Sequence, residues 1–413
     1  MKIIEVKKPG EKKKRARALL LFSGGLDSIL AGKVLEEQEI EIVALTFRSQ
    51  FFGAGEAIRA IEELGWPLVL VDISREQIEI VENPRYGYGR QLNPCLDCHG
   101  QMVRIAGGLL ERYQADFVAT GEVVGERPKS QNRQALGLVE KLSGIRGLVL
   151  RPLSARLLPA TIPEEKGLVD RERLLDISGR SRKRQLELAE KYGLKDYPTP
   201  AGGCLLTDPG FAARAKQLIK WRGRLLPEDI ELIKTGRVFF EPDGLIVVGR
   251  NERENEKIAG IAGEADILVT TAGIKGPLAC VRLKEAGPLS AGREAKSDRD
   301  REDGAAVAGE YFSEWRADQG SLIPPGQEGE GDRKGMALTR MVRQIQEGIR
   351  SVERQEPMNA KSNIPCQGAV HKACLLVIRY SRAREKERAS AAIIHRGMVL
   401  ELEFCQAHWK KYL

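Results

Sequence analysis

The sequence predicts an α/β protein: a doubly wound parallel sheet, with a smaller α+β domain toward the C-terminus. Three observations carry this expectation. Short apolar runs alternate with amphipathic stretches from Ala18 to Thr120, as in strands buried between two helix layers. A Ser23-Gly24-Gly25 turn ends the first run and opens the next helix. Near Gly236 the texture changes to β-like runs.

Residues 18–22 (ALLLF) read as a short buried strand, and a helix is expected over 26–37. A strand over 40–46, a helix over 54–64 and a strand over 68–71 continue the alternation. A helix over 96–113 and a strand over 117–120 complete it. Such sheets bind ligands at the carboxyl ends of their strands, so the loops after Phe22, Thr46 and Thr120 form the expected site. Residues 151–194 read as mostly helical and rich in arginine. Runs at 238–240, 245–248 and 267–270 are expected strands of the second domain, and those at 374–378, 391–394 and 398–402 are compatible with returning strands. Residues 286–365, rich in Gly, Asp, Glu, Arg and Ser, read as a disordered insertion. The domain plan is a basic tail (1–17), an α/β domain (18–195), a connector carrying Cys204 (196–235), and a module split between 236–285 and 366–413.

The chain has 413 residues, 42% of them hydrophobic and 30% charged, which supports real cores and excludes a wholly disordered chain. No stretch approaches the roughly 20 apolar residues of a membrane-spanning helix, and no signal-peptide pattern is present. A cytoplasmic location with no membrane partner is expected. Lys and Arg number 66 against 58 acidic residues, a net charge of +8, which suits a phosphate-bearing partner as well as an ordinary basic enzyme. Seven cysteines are too few for a disulfide scaffold in a chain of this length.

The turn Ser23-Gly24-Gly25-Leu26-Asp27-Ser28 sits where a phosphate loop belongs. Its glycines let backbone N–H groups turn toward phosphate oxygens, and the helix N-terminus adds partial positive charge. The Ser23 and Ser28 hydroxyls can donate to the same oxygens, and Asp27 can hold Mg²⁺ beside them. The spacing fits neither a Walker A loop nor a dinucleotide fingerprint. An ordinary strand–helix turn is the plain alternative.

These six residues resemble the PP-loop of ATP pyrophosphatases, of the adenine nucleotide alpha hydrolase-like fold, which cleave ATP between its α- and β-phosphates to adenylate a substrate. Thr120-Gly121-Glu122, Ser130-Gln131 and Arg151-Pro152-Leu153 resemble, in order, a motif series of the 4-thiouridine synthetases that modify tRNA. The likeness to the 2-thiouridine synthetases of the wobble position is weaker. The resemblance covers about 18–194 and implies an ATP site over Ser23, Gly24, Gly25, Asp27, Ser28, Thr46, Thr120, Gly121, Glu122, Ser130 and Gln131. Two departures from that family are expected: no RNA-binding domain of the customary type before residue 18, and no rhodanese-like domain at the C-terminus.

Cys95 and Cys98 form a C-x-x-C at an expected helix start, where backbone N–H groups favour thiolate. Cys204 follows a Gly-Gly pair. A group of PP-loop thiolation enzymes carries a C-x-x-C plus one distant cysteine around an iron–sulfur cluster. By that resemblance Cys95, Cys98 and Cys204 ligate a 4Fe-4S cluster with one iron left open. A persulfide pair of Cys98 and Cys204, a structural zinc site, a thioredoxin-like disulfide and a c-type haem attachment are the alternatives, in falling order of fit. Cys280, Cys366, Cys374 and Cys405 read as packing residues.

Arg180, Arg182, Lys183 and Arg184 crowd one short stretch and read as a grip on an RNA backbone, with a solvated helix face as the plain reading. Arg250-Asn251, with Lys275-Gly276-Pro277 and the later Arg379 to Arg384 run containing Arg382, resembles the RNA-binding module of the ribosome-quality-control (NFACT) proteins. That resemblance implies phosphate contacts from Arg250 and Arg382.

The expected function is an ATP-dependent tRNA sulfurtransferase making thiouridine, 4-thiouridine first and 2-thiouridine second. Asp27, Cys95, Cys98 and Cys204 are its catalytic candidates. Its partners are tRNA and a sulfur donor, either a cysteine desulfurase or inorganic sulfide, and a homodimer is compatible with the sequence. The competing readings are a PP-loop ligase or amidase-like enzyme on a small molecule, and a non-catalytic RNA-binding factor.

Overall fold

The computed structural model describes residues 1–195, 197, 203–272, 274–284, 368–381, 388–395 and 398–405. They fall into two units, Met1–Ile230 and Glu231–Leu413. The expected disordered insertion at 286–365 lies outside the described residues.

The first unit begins with β1 (Lys2–Lys7), β2 (Arg17–Leu21), α1 (Leu26–Glu36), β3 (Glu41–Arg48), α2 (Gly55–Leu64), β4 (Leu68–Asp72) and α3 (Ser74–Glu82). It continues with α4 (Cys95–Gly108), β5 (Phe117–Thr120), α5 (Arg133–Ser143), β6 (Val149–Leu150), α6 (Ile162–Glu165), α7 (Lys183–Lys191) and α8 (Pro209–Arg222), and α9 (Pro227–Ile233) carries the chain into the second unit. The sheet order is β1-β4-β3-β2-β5-β6. β2 to β6 run parallel, and β1 closes one edge antiparallel to β4. From the central β2 the chain winds out through β3 and β4, then returns to β5 on the other side of β2. The winding reverses there, so the loops after β2 and β5 diverge over a crevice, the position where such sheets bind ligands.

Both sheet faces are covered. Leu20, Ile42 and Ala44 pack into one core with Leu30 and Leu35 of α1. Leu19, Val43 and Leu45, one residue out of phase, pack into a second core with Ala106 of α4. This period-two split is what a strand buried on both sides requires. Each fully buried leucine contributes about 1.5–3 kcal/mol relative to exposure.

The second unit contains β7 (Arg237–Phe240), β8 (Gly244–Val248), α10 (Glu252–Ile261), β9 (Ile267–Thr271), β10 (Ala279–Leu283), α11 (Ala369–Arg379), β11 (Arg388–His395) and β12 (Met398–Cys405). Its antiparallel sheet has the order β12-β11-β9-β10-β8-β7. Ala369, Val370, Ala373, Cys374 and Val377 of α11 are buried against Val248, Val269 and Ile393 of the sheet.

Three expectations need correction. Residues 374–378, expected as a strand, lie in α11, whose apolar run is buried without a polar break that would betray its period. Residues 151–194 are not mostly helical: Pro152, Pro159 and Pro163 break the chain into 3₁₀ turns and the four-residue α6 before α7. The basic N-terminal stretch is not all tail, since its first residues form β1, whose lysines suit an edge strand.

Candidate active site

The loop between β2 and α1 is shaped by glycine. Gly24 has φ +77°, and a Cβ there would lie 2.4 Å from the backbone carbon of Glu56. Gly121, after β5, packs directly on the first turn of α1, and its Cβ would lie 2.6 Å from Ser28 N. Only glycine allows these approaches. Gly25 is the N-cap of α1 and supplies no side-chain cap, so the first N–H groups of that helix are without their usual partner. The Ser28 hydroxyl donates to Gly25 O at 2.8 Å, and Ser23 is exposed beside it. Thr46 is buried near the end of β3.

Asp27 sits in the first turn of α1 against Arg182, whose Nη2 is 4.0 Å from Asp27 Oδ2. Burial pushes the Asp27 carboxyl up, opposed by Arg182, Gln185 and Arg127. Asp27 Oδ1 and Arg182 Nε are both buried and make no hydrogen bond, as are Gln185 Oε1 and Nε2. A buried orphan carboxylate oxygen beside a helix N-terminus fits a cation, and a buried orphan guanidinium nitrogen fits a phosphate oxygen. The residues therefore suit Mg²⁺ and a polyphosphate together.

The four cations expected to grip RNA are divided. Arg182 turns to Asp27. Arg184 pairs with Asp176 at 2.6 Å, while Arg180 and Lys183 are exposed.

Glu122, expected at the nucleotide, is committed elsewhere. Its Oε2 accepts from Arg151 Nε and Thr120 Oγ1, both at 3.1 Å, and its Oε1 lies 3.0 Å from His99 Nδ1. Burial opposes ionisation of Glu122, yet Arg151 and His99 outweigh it and hold the carboxyl down at about 2. The carboxylate thus ties the end of β5 to β6 and to α4. Ser130 and Gln131 are buried, and Gln131 closes its own loop by accepting from Arg127 N at 3.1 Å.

Cys95 and Cys98 occupy the first turn of α4, and Cys204 leads into a 3₁₀ turn, Leu205–Thr207. That turn is held by Leu205 N donating to Phe51 O and Leu92 N donating to Leu206 O, so the expected connector folds with the first unit. All three cysteines are free and partly exposed. Burial pushes the Cys98 thiol up, and Cys204 and Cys95 add to the rise. Burial likewise pushes Cys204 up to about 11, with Cys95 contributing. The three sulfurs therefore lie within electrostatic reach of one another. Asn93 Nδ2 donates to Cys95 Sγ at 3.0 Å, and Cys98 Sγ donates to Gln77 Oε1 at 3.2 Å. Among the described residues no group of three His, Cys, Asp or Glu side chains is placed to hold a metal ion. A polynuclear cluster binds each thiolate to a different iron, and the three free, partly exposed thiols are the donor type such a group takes.

Sequence reasoning missed Gln77 and the inward role of Arg182. Gln77 lies on α3, an unexpected helix, and carries no motif. Arg182 looks like one more cation in a charged run.

In the second unit, a cavity of about 340 Å³ is lined by Arg237, Arg250, Lys275 and Tyr380, among others. Arg237 lies 4.2 Å from the Tyr380 ring centroid. Arg250 is paired with Glu254, and the Asn251 side chain caps α10. Arg382 lies outside the described residues.

Residues 14–156 match the family model described as Thiamine biosynthesis protein (ThiI). A tRNA-specific 2-thiouridylase MnmA of Rhizobium etli is 30% identical over 141 residues, covering 30% of this chain and 33% of the relative. An MnmA of Amoebophilus asiaticus is 25% identical over 264 residues, covering 58% of this chain and 64% of the relative. The chain thus spans about a third to two thirds of the length of these relatives. A solved 4-thiouridine synthetase–RNA complex with bound ATP is 21% identical, with TM-score 0.31, covering 53% of this chain and 52% of that one. No helix among the described residues is long and apolar enough to cross a membrane.

Proposed function

We propose that the protein is an ATP-dependent tRNA sulfurtransferase that makes thiouridine, with 4-thiouridine the preferred product and 2-thiouridine the second. The observation that carries this reading is the presence, in one unit, of an uncapped glycine-loop helix start and three free thiols, Cys95, Cys98 and Cys204. The match of residues 14–156 to the ThiI family model and the similarity to 2-thiouridylases support it from a second side.

ATP lies with its phosphates on the Gly24 and Gly25 N–H groups and the α1 N-terminus. Asp27 would hold Mg²⁺, which when bound neutralises phosphate charge. A carbonyl oxygen of an unpaired uridine attacks the α-phosphorus, the bond to the β-phosphate oxygen breaks, and pyrophosphate leaves. Arg182 neutralises the charge that develops on the phosphates. A sulfur nucleophile then attacks the activated ring carbon, the carbon–oxygen bond breaks, and AMP departs. In the persulfide route Cys98 presents the sulfur; once it has bonded to the ring carbon, the Cys204 thiolate attacks Cys98 Sγ, the sulfur–sulfur bond breaks, thiouridine is released and a Cys98–Cys204 disulfide remains for reduction by an external thiol. Alternatively Cys95, Cys98 and Cys204 would hold a 4Fe-4S cluster that when bound would supply sulfide. The donor upstream is a cysteine desulfurase for the persulfide route and inorganic sulfide for the cluster route. The chain's own contribution is position and charge. Contacts to RNA phosphates from Arg180, Lys183 and Arg250 complete the reading.

The test is incubation of the purified protein with ATP, Mg²⁺, sulfide and unmodified tRNA, followed by nucleoside mass spectrometry. Thiouridine formation with tRNA-dependent pyrophosphate release is expected. Pyrophosphate release indifferent to tRNA, with no thiouridine, overturns the reading.

A further inference from the structure

The loop between α3 and α4, residues 83–94, is NPRYGYGRQLNP: it contains two tyrosines, two arginines and no acidic residue. Nothing in the proposed reaction uses it, yet it borders the thiols at several points. Tyr86 N donates to Asp97 Oδ2 at 3.0 Å, and Asp97 lies between Cys95 and Cys98. Asn93, near the loop's end, donates to Cys95 Sγ. Leu92 N donates to Leu206 O, two residues past Cys204. The loop is therefore anchored to both cysteine-bearing segments.

Its outer face is apolar where water should reject it. Tyr86 is 39% exposed and Tyr88 40% exposed, and Leu205, beside Cys204, is 38% exposed. These are three of the seven large exposed hydrophobic residues among the described residues, and all three lie on the two segments that are anchored around the cysteines. Tyr88 is tethered by its hydroxyl, which donates to Val81 O at 2.7 Å. Tyr86 has no such tether, and its ring lies 5.7 Å from the Arg85 guanidinium carbon. Arg85 and Arg90 are exposed, and neither pairs with a carboxylate among the described residues. An aromatic face flanked by unpaired guanidinium groups complements an unpaired base with its phosphates, because every base has a π-face and stacking is tolerant of sequence.

We infer that this loop is the docking platform for an unpaired RNA base at the thiol centre, with Tyr86 as the stacking face and Arg85 and Arg90 as the flanking phosphate contacts. The inference rests on the proposed tRNA reading and names the side chains that hold the base beside the sulfur. Tyr86 is a positioning residue.

The experiment compares wild type, Tyr86→Ala and Tyr86→Phe for affinity to unmodified tRNA, affinity to ATP, and thiolation with inorganic sulfide. The Tyr86 anchor is its backbone N–H, which alanine retains, and unchanged ATP affinity reports an intact first unit. Tyr86→Ala is expected to weaken tRNA binding roughly 10- to 100-fold, and Tyr86→Phe to stay within about 2-fold of wild type. Arg85→Ala and Arg90→Ala should each lower the salt dependence of tRNA binding by about one phosphate contact. Unchanged tRNA affinity in Tyr86→Ala overturns the platform, as does phenylalanine proving as damaging as alanine. A defect that appears only with a protein sulfur donor, with tRNA affinity intact, also overturns it and assigns the loop to the donor. A wild-type protein that binds tRNA without thiolating it overturns the activity, while the binding series still decides the platform.

Discussion

Arg182 Nη2 stands 4.0 Å from Asp27 Oδ2, and each side chain leaves a second buried polar atom, Arg182 Nε and Asp27 Oδ1, without a hydrogen bond. A finished salt bridge would close to hydrogen-bond distance and satisfy both groups. This pair stays open, which leaves Asp27 Oδ1 available to a cation and Arg182 Nε to a phosphate oxygen.

Arg182→Ala should therefore act on the nucleotide step and not on RNA affinity. The expected result is a fall of roughly 100-fold in the rate of tRNA-dependent pyrophosphate release, with tRNA binding within about 2-fold of wild type. Arg182→Lys should recover part of the rate, since it restores charge without the planar fork. Steady-state kinetics beside a filter-binding isotherm checks both. A loss of tRNA affinity with unchanged pyrophosphate release would return Arg182 to the RNA grip.

Asp27→Asn should separate stability from function. Burial raises the Asp27 carboxyl, so its ionised form opposes folding at neutral pH, and that opposition fades as pH falls through the raised folded value and is gone below the ordinary 3.8. The uncharged variant is expected to melt at or above the wild-type temperature at pH 7 and to lose the thermal shift that Mg–ATP gives wild type. Calorimetry with and without nucleotide reads both effects. A lower melting temperature for the free variant at pH 7 contradicts this account.

How far the sequence speaks depends on the range of the contact. β5 ends at Thr120 as expected, because a short apolar run between turns needs only local information. The glycine loop was legible for the same reason: its shape follows from Gly24 and Gly25. Partners supplied by other segments were not. Glu122 looks like a nucleotide residue in its T-G-E motif, but His99 and Arg151, brought in by α4 and β6, absorb its charge. Arg182 looks solvated until the fold sets it against Asp27. Cys374 to Ile378 misled for a different reason, since a fully buried helix and a buried strand present the same uninterrupted apolar run.

The Glu122 network predicts an acid-sensitive fold. Glu122 titrates near 2 in the folded protein against 4.5 ordinarily. Its stabilising contribution is therefore complete above about pH 4.5 and lost as pH falls toward 2. Glu122→Gln removes the nearer of the two carboxylates that face buried Arg151, leaving Glu140 Oε2 at 3.7 Å, and should cost about 3 kcal/mol at pH 7. The deficit should shrink between pH 4.5 and 2. Urea melts across that range check the sign, and a deficit that grows on acidification would refute the assignment.

Gly24 and Gly121, each packed against helix backbone, should not tolerate a methyl group. At Gly24 a Cβ would lie 2.4 Å from backbone and the residue would be held at φ +77°; at Gly121 it would lie 2.6 Å from Ser28 N. The listeners in both cases are backbone atoms of α2 or α1, which cannot rotate away as a side chain would. Gly24→Ala is expected to cost at least about 1–3 kcal/mol and to abolish the ATP-induced thermal shift. Gly121→Ala should push α1 from β5 and weaken ATP binding through the same turn. Gly137, in α5, has open space about its Cβ position, so Gly137→Ala serves as the control and should stabilise by roughly 0.5–1 kcal/mol. Chemical denaturation with paired ATP titrations separates the three. Wild-type ATP affinity in Gly24→Ala would mean that the loop is an ordinary turn and that phosphate binds elsewhere.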